Sequence, residues 1–206
     1  MKEKIRVLCL AILAGCMISI GGAVFLSLEN RIVGSLMFTI GLYAIVVNGL
    51  FLYTGKIGYF PVEKNKKDYF LVLVLTWLGN FIGTFIGATG LLQTRISGIS
   101  EVAKTICEVK FADNLLSIFI LAIFCGCLMF IAVDGYKETK NPIILFLCVS
   151  VFILCGFEHC IANMFYFTLA GVWSGKTLVY LLVMTLGNSV GGMFIPFVKK
   201  LVEVQK

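Results

Sequence analysis

The chain has 206 residues, 60% of them hydrophobic and only 14% charged, with a mean hydropathy of +1.02. A soluble domain of this size has too little interior to hide so much apolar surface, which excludes a water-soluble enzyme or binding module and makes the bilayer the solvent. The net charge of +6 then bears on orientation across the membrane.

Three prolines stand against 21 glycines and 18 phenylalanines. That composition fits close-packed transmembrane helices and not the polar/apolar alternation of a transmembrane barrel. With about 20 residues needed per crossing, apolar runs predict six helices at about 5–28, 31–60, 69–92, 112–134, 141–170 and 173–199. The first run has no small-residue cleavage site with a mature domain behind it, so it is expected to be a span and not a removable signal peptide. Both termini then lie on one side.

Eleven cations fall in one set of segments: Lys2, Lys4, Arg6, Lys64, Lys66, Lys67, Lys137, Lys140, Lys199, Lys200 and Lys206. Five fall in the other: Arg31, Arg95, Lys104, Lys110 and Lys176. Lys56 is not placed by the sequence alone. The positive-inside rule therefore expects both termini in the cytoplasm. Seven of the eight cysteines lie inside predicted spans, where they read as small apolar packing residues. Cys125 and Cys127 have the wrong spacing for a zinc pair, and no metal site is expected.

The halves resemble each other. Ala11-Ile12-Leu13-Ala14-Gly15-Cys16 matches Ala122-Ile123-Phe124-Cys125-Gly126-Cys127 at an offset of 111, and Leu78-Gly79-Asn80-Phe81-Ile82-Gly83 matches Leu186-Gly187-Asn188-Ser189-Val190-Gly191 at an offset of 108. These pairs fall in helices one and four and in helices three and six, so the repeat is three helices long, about 5–92 and 112–199, within a single channel domain over 1–206. An odd number of crossings forces the second copy to be inverted, a transport architecture in which substrate passes near the midplane beside broken helices. Helices two and five are the expected breaks. Each is longer than one straight span needs and carries polar residues mid-run, Asn48-Gly49 with Leu52 to Lys56, and Gly156 to Asn163.

Glu158-His159 lies within an apolar run from Ile143 to Leu169, where ionisable groups are costly enough to suggest function. His159 is the only histidine. Against the bland reading of a satisfied core histidine stand the midplane, the repeat and the expected break, all at one place. Glu158 is its neighbour and points elsewhere; it is expected to tie down loop backbone or a helix end. For Asn80, helix packing is a sufficient reading, whereas Asn188 shares its repeat with His159 and is expected at the pore. Residues 93–111 read as a loop on the periplasmic side. A folded-in loop would bring Lys110, at the boundary of helix four, beside the pore mouth and raise the local anion concentration.

The segment Gly156-Phe157-Glu158-His159-Cys160-Ile161-Ala162-Asn163-Met164-Phe165 resembles the signature of the formate/nitrite transporter family. Thr185 to Gly192 resembles its sixth-helix motif, and Leu52-Tyr53-Thr54-Gly55 its second-helix break. The resemblance implies an all-α membrane protein of six transmembrane helices in two inverted repeats, with an aquaporin-like architecture, assembled as a homopentamer with one pore per protomer. It implies that His159 is the central pore histidine, Thr54 the threonine opposite, Lys110 the periplasm-side lysine, and Asn188 and Asn163 further pore residues. By the same resemblance, Phe38, Leu42, Leu52, Tyr53, Met129 and Phe152 are expected at the family's two hydrophobic constrictions, one on each side of the histidine. The chain departs from the formate members at Gly126, where asparagine is usual, and at Tyr53, where phenylalanine is usual.

The expected function is passive or proton-linked passage of a small monovalent anion across a bacterial cytoplasmic (inner) membrane. Formate is favoured, with nitrite, hydrosulfide or short monocarboxylates as alternatives. No cofactor and no nucleic-acid partner is expected. Whether His159 gives up a proton, relays one through water or only hydrogen-bonds the substrate stays open. A neutral-solute channel is the rival from another class; it predicts no dependence on Lys110 and no coupling to protons. A membrane-embedded enzyme lacks a second reactive group, and a purely structural protein would tolerate His159→Phe.

Overall fold

The computed structural model describes residues 1–203; Lys206, counted above, lies outside them. In chain order it contains α1 (Lys2–Ser27), α2 (Arg31–Val47), α3 (Tyr53–Lys56) continued by a 3-10 turn (Ile57–Tyr59), α4 (Lys66–Leu92), α5 (Ile99–Ala112), α6 (Leu115–Thr139), α7 (Ile143–Leu154), α8 (Cys160–Ala170) and α9 (Gly175–Glu203). Strands are absent among the described residues. Four helices, α1, α4, α6 and α9, are long and apolar enough to cross a membrane unaided. The remaining two crossings are made in pieces, α2 with α3 and α7 with α8. The fold is therefore six transmembrane helices in two inverted three-helix repeats, with the second and fifth interrupted.

Chain direction defines two faces. The N-terminal face carries the start of α1 and the ends of α6 and α9, and the Lys110 face carries α5. Lys56 lines a cavity with Lys137 and Lys140, which places it on the N-terminal face. The segment read as a loop over 93–111 instead contains α5, whose Ile99, Ala103 and Cys107 are buried while Lys104 and Glu108 face outward. Those apolar residues recur at intervals of four, which folds the segment down as an amphipathic helix against α8. Lys110 accordingly sits in the last turn of α5, ahead of the Leu115 start of α6.

The long helices pair as α1 with α4 and α6 with α9, the most extensive contacts in the molecule. Glycine makes the approach possible: a Cβ at Gly83 would overlap the Ile12 carbonyl oxygen, and one at its repeat mate Gly191 the Ile123 carbonyl oxygen. Because the obstacle is backbone, no rotamer relieves it. Gly191→Ala is expected to cost about 1–3 kcal/mol, read as a lower unfolding temperature in detergent. The control is Gly90→Ala, where a Cβ meets nothing within 4 Å and no loss is expected. Equal stability of the two variants would remove close packing as the reason for the glycine.

The breaks themselves are written in local sequence. After α2 comes Gly49 at φ +62°, and after α7 its mate Gly156 at φ +69°, the left-handed conformation that glycine adopts without steric cost. The next amide closes the same motif in each half, Leu50 N–H to Ile45 O at 2.9 Å and Phe157 N–H to Phe152 O at 2.8 Å. Each chain then turns back towards the midplane and starts a half-helix there.

Candidate functional site

A broken helix exposes backbone groups that lipid cannot satisfy. Asn80 of α4 accepts from Tyr53 N–H at 2.9 Å and donates to the carbonyls of Ala11 and Phe51, both at 2.8 Å. Asn188 of α9 repeats the arrangement, accepting from Cys160 N–H at 2.8 Å and donating to Ala122 O at 2.8 Å and Glu158 O at 2.7 Å. The partners correspond one for one across the repeat. Both asparagines are thus latches that fix the start of a half-helix. Asn188, expected at the pore, has its amide engaged with three backbone groups, and Asn80 does more than pack two helices. Trp77 Nε1–H donates to Thr185 Oγ1 at 3.2 Å, a contact between repeat mates that marks the pseudo-two-fold axis.

The half-helix α8 begins with unbonded N–H groups that need a cap. His159 supplies it: Nδ1 accepts from Ala162 N–H at 3.0 Å. A donor aimed at Nδ1 requires a lone pair there, so the ring proton sits on Nε2. Nε2 lies 2.8 Å from Thr54 Oγ1, in the first turn of α3, and donates to it. Both side chains are buried, at 2% and 1% exposure. Phe152 stacks on the imidazole with centroids 5.6 Å apart, and Phe38 meets Phe152 edge-on at 6.0 Å. The two half-helix N-termini, with their partial positive charge, therefore face each other across a hydrogen-bonded His–Thr pair in an aromatic wall.

Glu158 takes a different role from the one expected. Its carboxylate accepts from Lys110 Nζ at 2.6 Å and from Asn163 Nδ2 at 2.8 Å, so it binds side chains while its backbone carbonyl is held by Asn188. Asn163 Nδ2 also donates to His159 O at 3.0 Å, which sets the amide orientation and leaves Oδ1 buried without a partner. The pair is sheltered, with side-chain exposures of 12% for Lys110 and 4% for Glu158. The lysine charge is consequently matched by an adjacent carboxylate, which weakens it as a free attractor of anions. A buried carboxylate in a membrane needs a cation. That requirement was the signal in the sequence by which Glu158 and Lys110 were open to being paired.

Cavities flank the His–Thr pair. On the Lys110 face a vestibule of about 690 Å³ is lined by Arg31, Lys110 and Glu158 among apolar residues of α1, α5 and α6. A narrower space of about 100 Å³, sharing Phe25, Arg31, Ile106 and Lys110, reaches His159 and Asn163. On the N-terminal face a cavity of about 100 Å³ reaches Leu52. Leu52 precedes α3 as His159 precedes α8, and the two are repeat mates. Phe38, Leu42, Leu52, Tyr53, Met129 and Phe152 are all buried, none above 9% exposure. The Tyr53 hydroxyl lies 2.9 Å from Ser189 Oγ, a tie to α9 that phenylalanine would lack.

The family model described as formate/nitrite transporter matches residues 2–201. A probable formate transporter from Methanothermobacter thermautotrophicus is 28% identical over 93% of this chain and 87% of its own length. The nitrite transporter NirC of Escherichia coli (strain K12) is 28% identical over 87% of this chain and 76% of its own length. A solved structure described as a pentameric formate channel with formate bound covers 98% of both chains with a TM-score of 0.81 at 23% identity, a likeness of fold. The inverted repeat, its latched half-helices and a family match over nearly every residue agree: the chain belongs to the formate/nitrite transporter family.

Proposed function

We propose that the protein is a passive or proton-linked channel for small monovalent anions, with formate as its substrate and nitrite or hydrosulfide as the alternatives within the family. The observation that carries this reading is the Nε2–Thr54 hydrogen bond at 2.8 Å, a neutral polar pair placed between two cavities and walled by aromatic rings. An anion stripped of water there, with no cation beside it, is several kcal/mol out of balance. Burial favours its neutral form. Formate enters the Lys110-face vestibule as an anion, takes up a proton drawn from the bulk solution on that side and relayed by water, crosses as formic acid and releases that proton to the bulk on the far side. His159 acts as donor through Nε2–H, displacing Thr54 in favour of the substrate oxygen. Direct loss of that proton would leave an imidazolate in an apolar pocket, so the proton comes from solvent. Asn163 Oδ1, which lacks a partner, accepts from the acid O–H or from the water that delivers the proton.

Formate is supported by the formate description of a relative that aligns over most of the chain, and nitrite by the equal identity to a nitrite transporter. A homopentamer is supported by the similar fold of a channel described as pentameric. Placement of both termini on the cytoplasmic side rests on the cation count. The test is flux into proteoliposomes of formate, nitrite, hydrosulfide and urea at mildly acidic and mildly alkaline pH. Saturable formate flux, faster at acidic pH and accompanied by lumenal acidification, is expected. Urea or water flux without anion flux would replace this reading by the neutral-solute channel.

A further inference from the structure

The mouth on the N-terminal face differs electrostatically from the other. Lys56, Lys137 and Lys140 line one cavity together with Leu52. Among the described residues none of the three lies within ion-pair distance of a carboxylate. Aromatic rings hold them in place: Lys56 Nζ is 4.1 Å from the Phe51 centroid, and Lys137 Nζ is 4.0 Å from that of Tyr59. Lys137 also donates to the Tyr59 hydroxyl at 2.8 Å, and that hydroxyl donates to Asp134 Oδ1 at 3.0 Å, so the one nearby carboxylate reaches Lys137 through the tyrosine and not by direct contact. Lys140 stands at the left-handed cap of α6, φ 57°. The opposite vestibule sets Arg31 and Lys110 against Glu29, Asp113 and Glu158.

The topology rule alone expects lysines at this end of α6, and Lys137 and Lys140 are exposed there, with Lys56 half-buried between them and the pore. Here they converge with Lys56 on a single space with room for about three waters. Three cations gathered there repel, with only Lys137 partly offset by Asp134 through Tyr59, and an anion among them relieves that repulsion. We infer that this cavity is an anion-binding vestibule for small oxyanions, and that a dianion such as phosphate occupies it without passing, so that it blocks flux from the N-terminal face only. The inference rests on the anion-channel reading above. Attraction to the lysines grows in proportion to the ligand's charge, whereas the cost of desolvating it grows as the square, about fourfold for a dianion. One proton neutralises formate but leaves phosphate charged.

The experiment uses the full chain in proteoliposomes, oriented by protease access to an N-terminal tag, with phosphate supplied on one side at a time. Half-inhibition of formate flux is expected at about tenfold lower phosphate on the N-terminal face. Combining Lys56→Gln, Lys137→Gln and Lys140→Gln is expected to abolish that difference, while Lys104→Gln, exposed on the other face, preserves it. As a readout independent of flux, phosphate is expected to raise the unfolding temperature of the wild type and not of the triple variant. Formate flux with equal or absent phosphate inhibition from the two faces would overturn the inference, as would flux that ignores soluble phosphate and follows the content of anionic phospholipid. Loss of all formate flux in the wild type would instead overturn the channel reading, and the thermal shift alone would then decide whether the site exists.

Discussion

Replacing His159 by leucine is expected to lower formate flux in proteoliposomes by about a hundredfold, the rate equivalent of losing one hydrogen bond to a desolvated polar solute. The imidazole does two jobs at once. Nδ1 caps α8 through Ala162 N–H, and Nε2–H is the donor in the narrow passage. Leucine removes both, so lost stability must be separated from lost conduction. The lost cap is worth about 1 kcal/mol, measurable as a modest drop in unfolding temperature. His159→Asn restores an oxygen for the cap and an N–H for the passage, and is expected to recover stability and part of the flux with an altered pH profile. Thr54→Val removes the partner of Nε2 and leaves the cap untouched. Wild-type flux in the leucine variant would show that the histidine is only a core residue.

The second large effect is expected at the Lys110–Glu158 pair. Removing one member of a sheltered ion pair strands the other, at a cost of about 3–5 kcal/mol, so Lys110→Met or Glu158→Leu alone is expected to lower the unfolding temperature sharply. Glu158 also anchors Asn163, whose amide holds His159 O, so Glu158→Leu is expected to disturb the passage as well. The double variant Lys110→Met with Glu158→Leu has no stranded charge and is expected to recover most of the stability. A double-mutant cycle on unfolding temperature and flux measures this coupling. Additive single effects would show that the 2.6 Å contact contributes nothing to the folded state.

Much of the architecture was legible in residue order because the bilayer enforces it. Apolar length marks crossings, and every span must satisfy its own backbone, so the polar interruptions near Gly49 and Gly156 announced broken helices two and five. The paired LGNxxG segments announced the repeat. The mistaken elements were those whose partners are remote in sequence. Residues 93–111 looked polar enough for a loop because an amphipathic helix declares itself only when something covers its apolar stripe, and α8 does so. Asn80 and Asn188 were read unequally, although in the folded chain their bonds are the same.

Composition, spacing and the repeat by themselves determined the solvent, the number of crossings, the inversion and the position of both breaks, because each follows from short-range backbone chemistry in lipid. Only the tertiary structure decided which atoms meet. It brought Thr54 to His159 across a sequence separation of 105 residues and Lys110 to Glu158 across 48, and it assigned the imidazole proton to Nε2. It also gathered three lysines from α3 and the end of α6 around one mouth. Contacts of that kind depend on how two inverted halves dock about their axis. Local sequence carries no term for that docking.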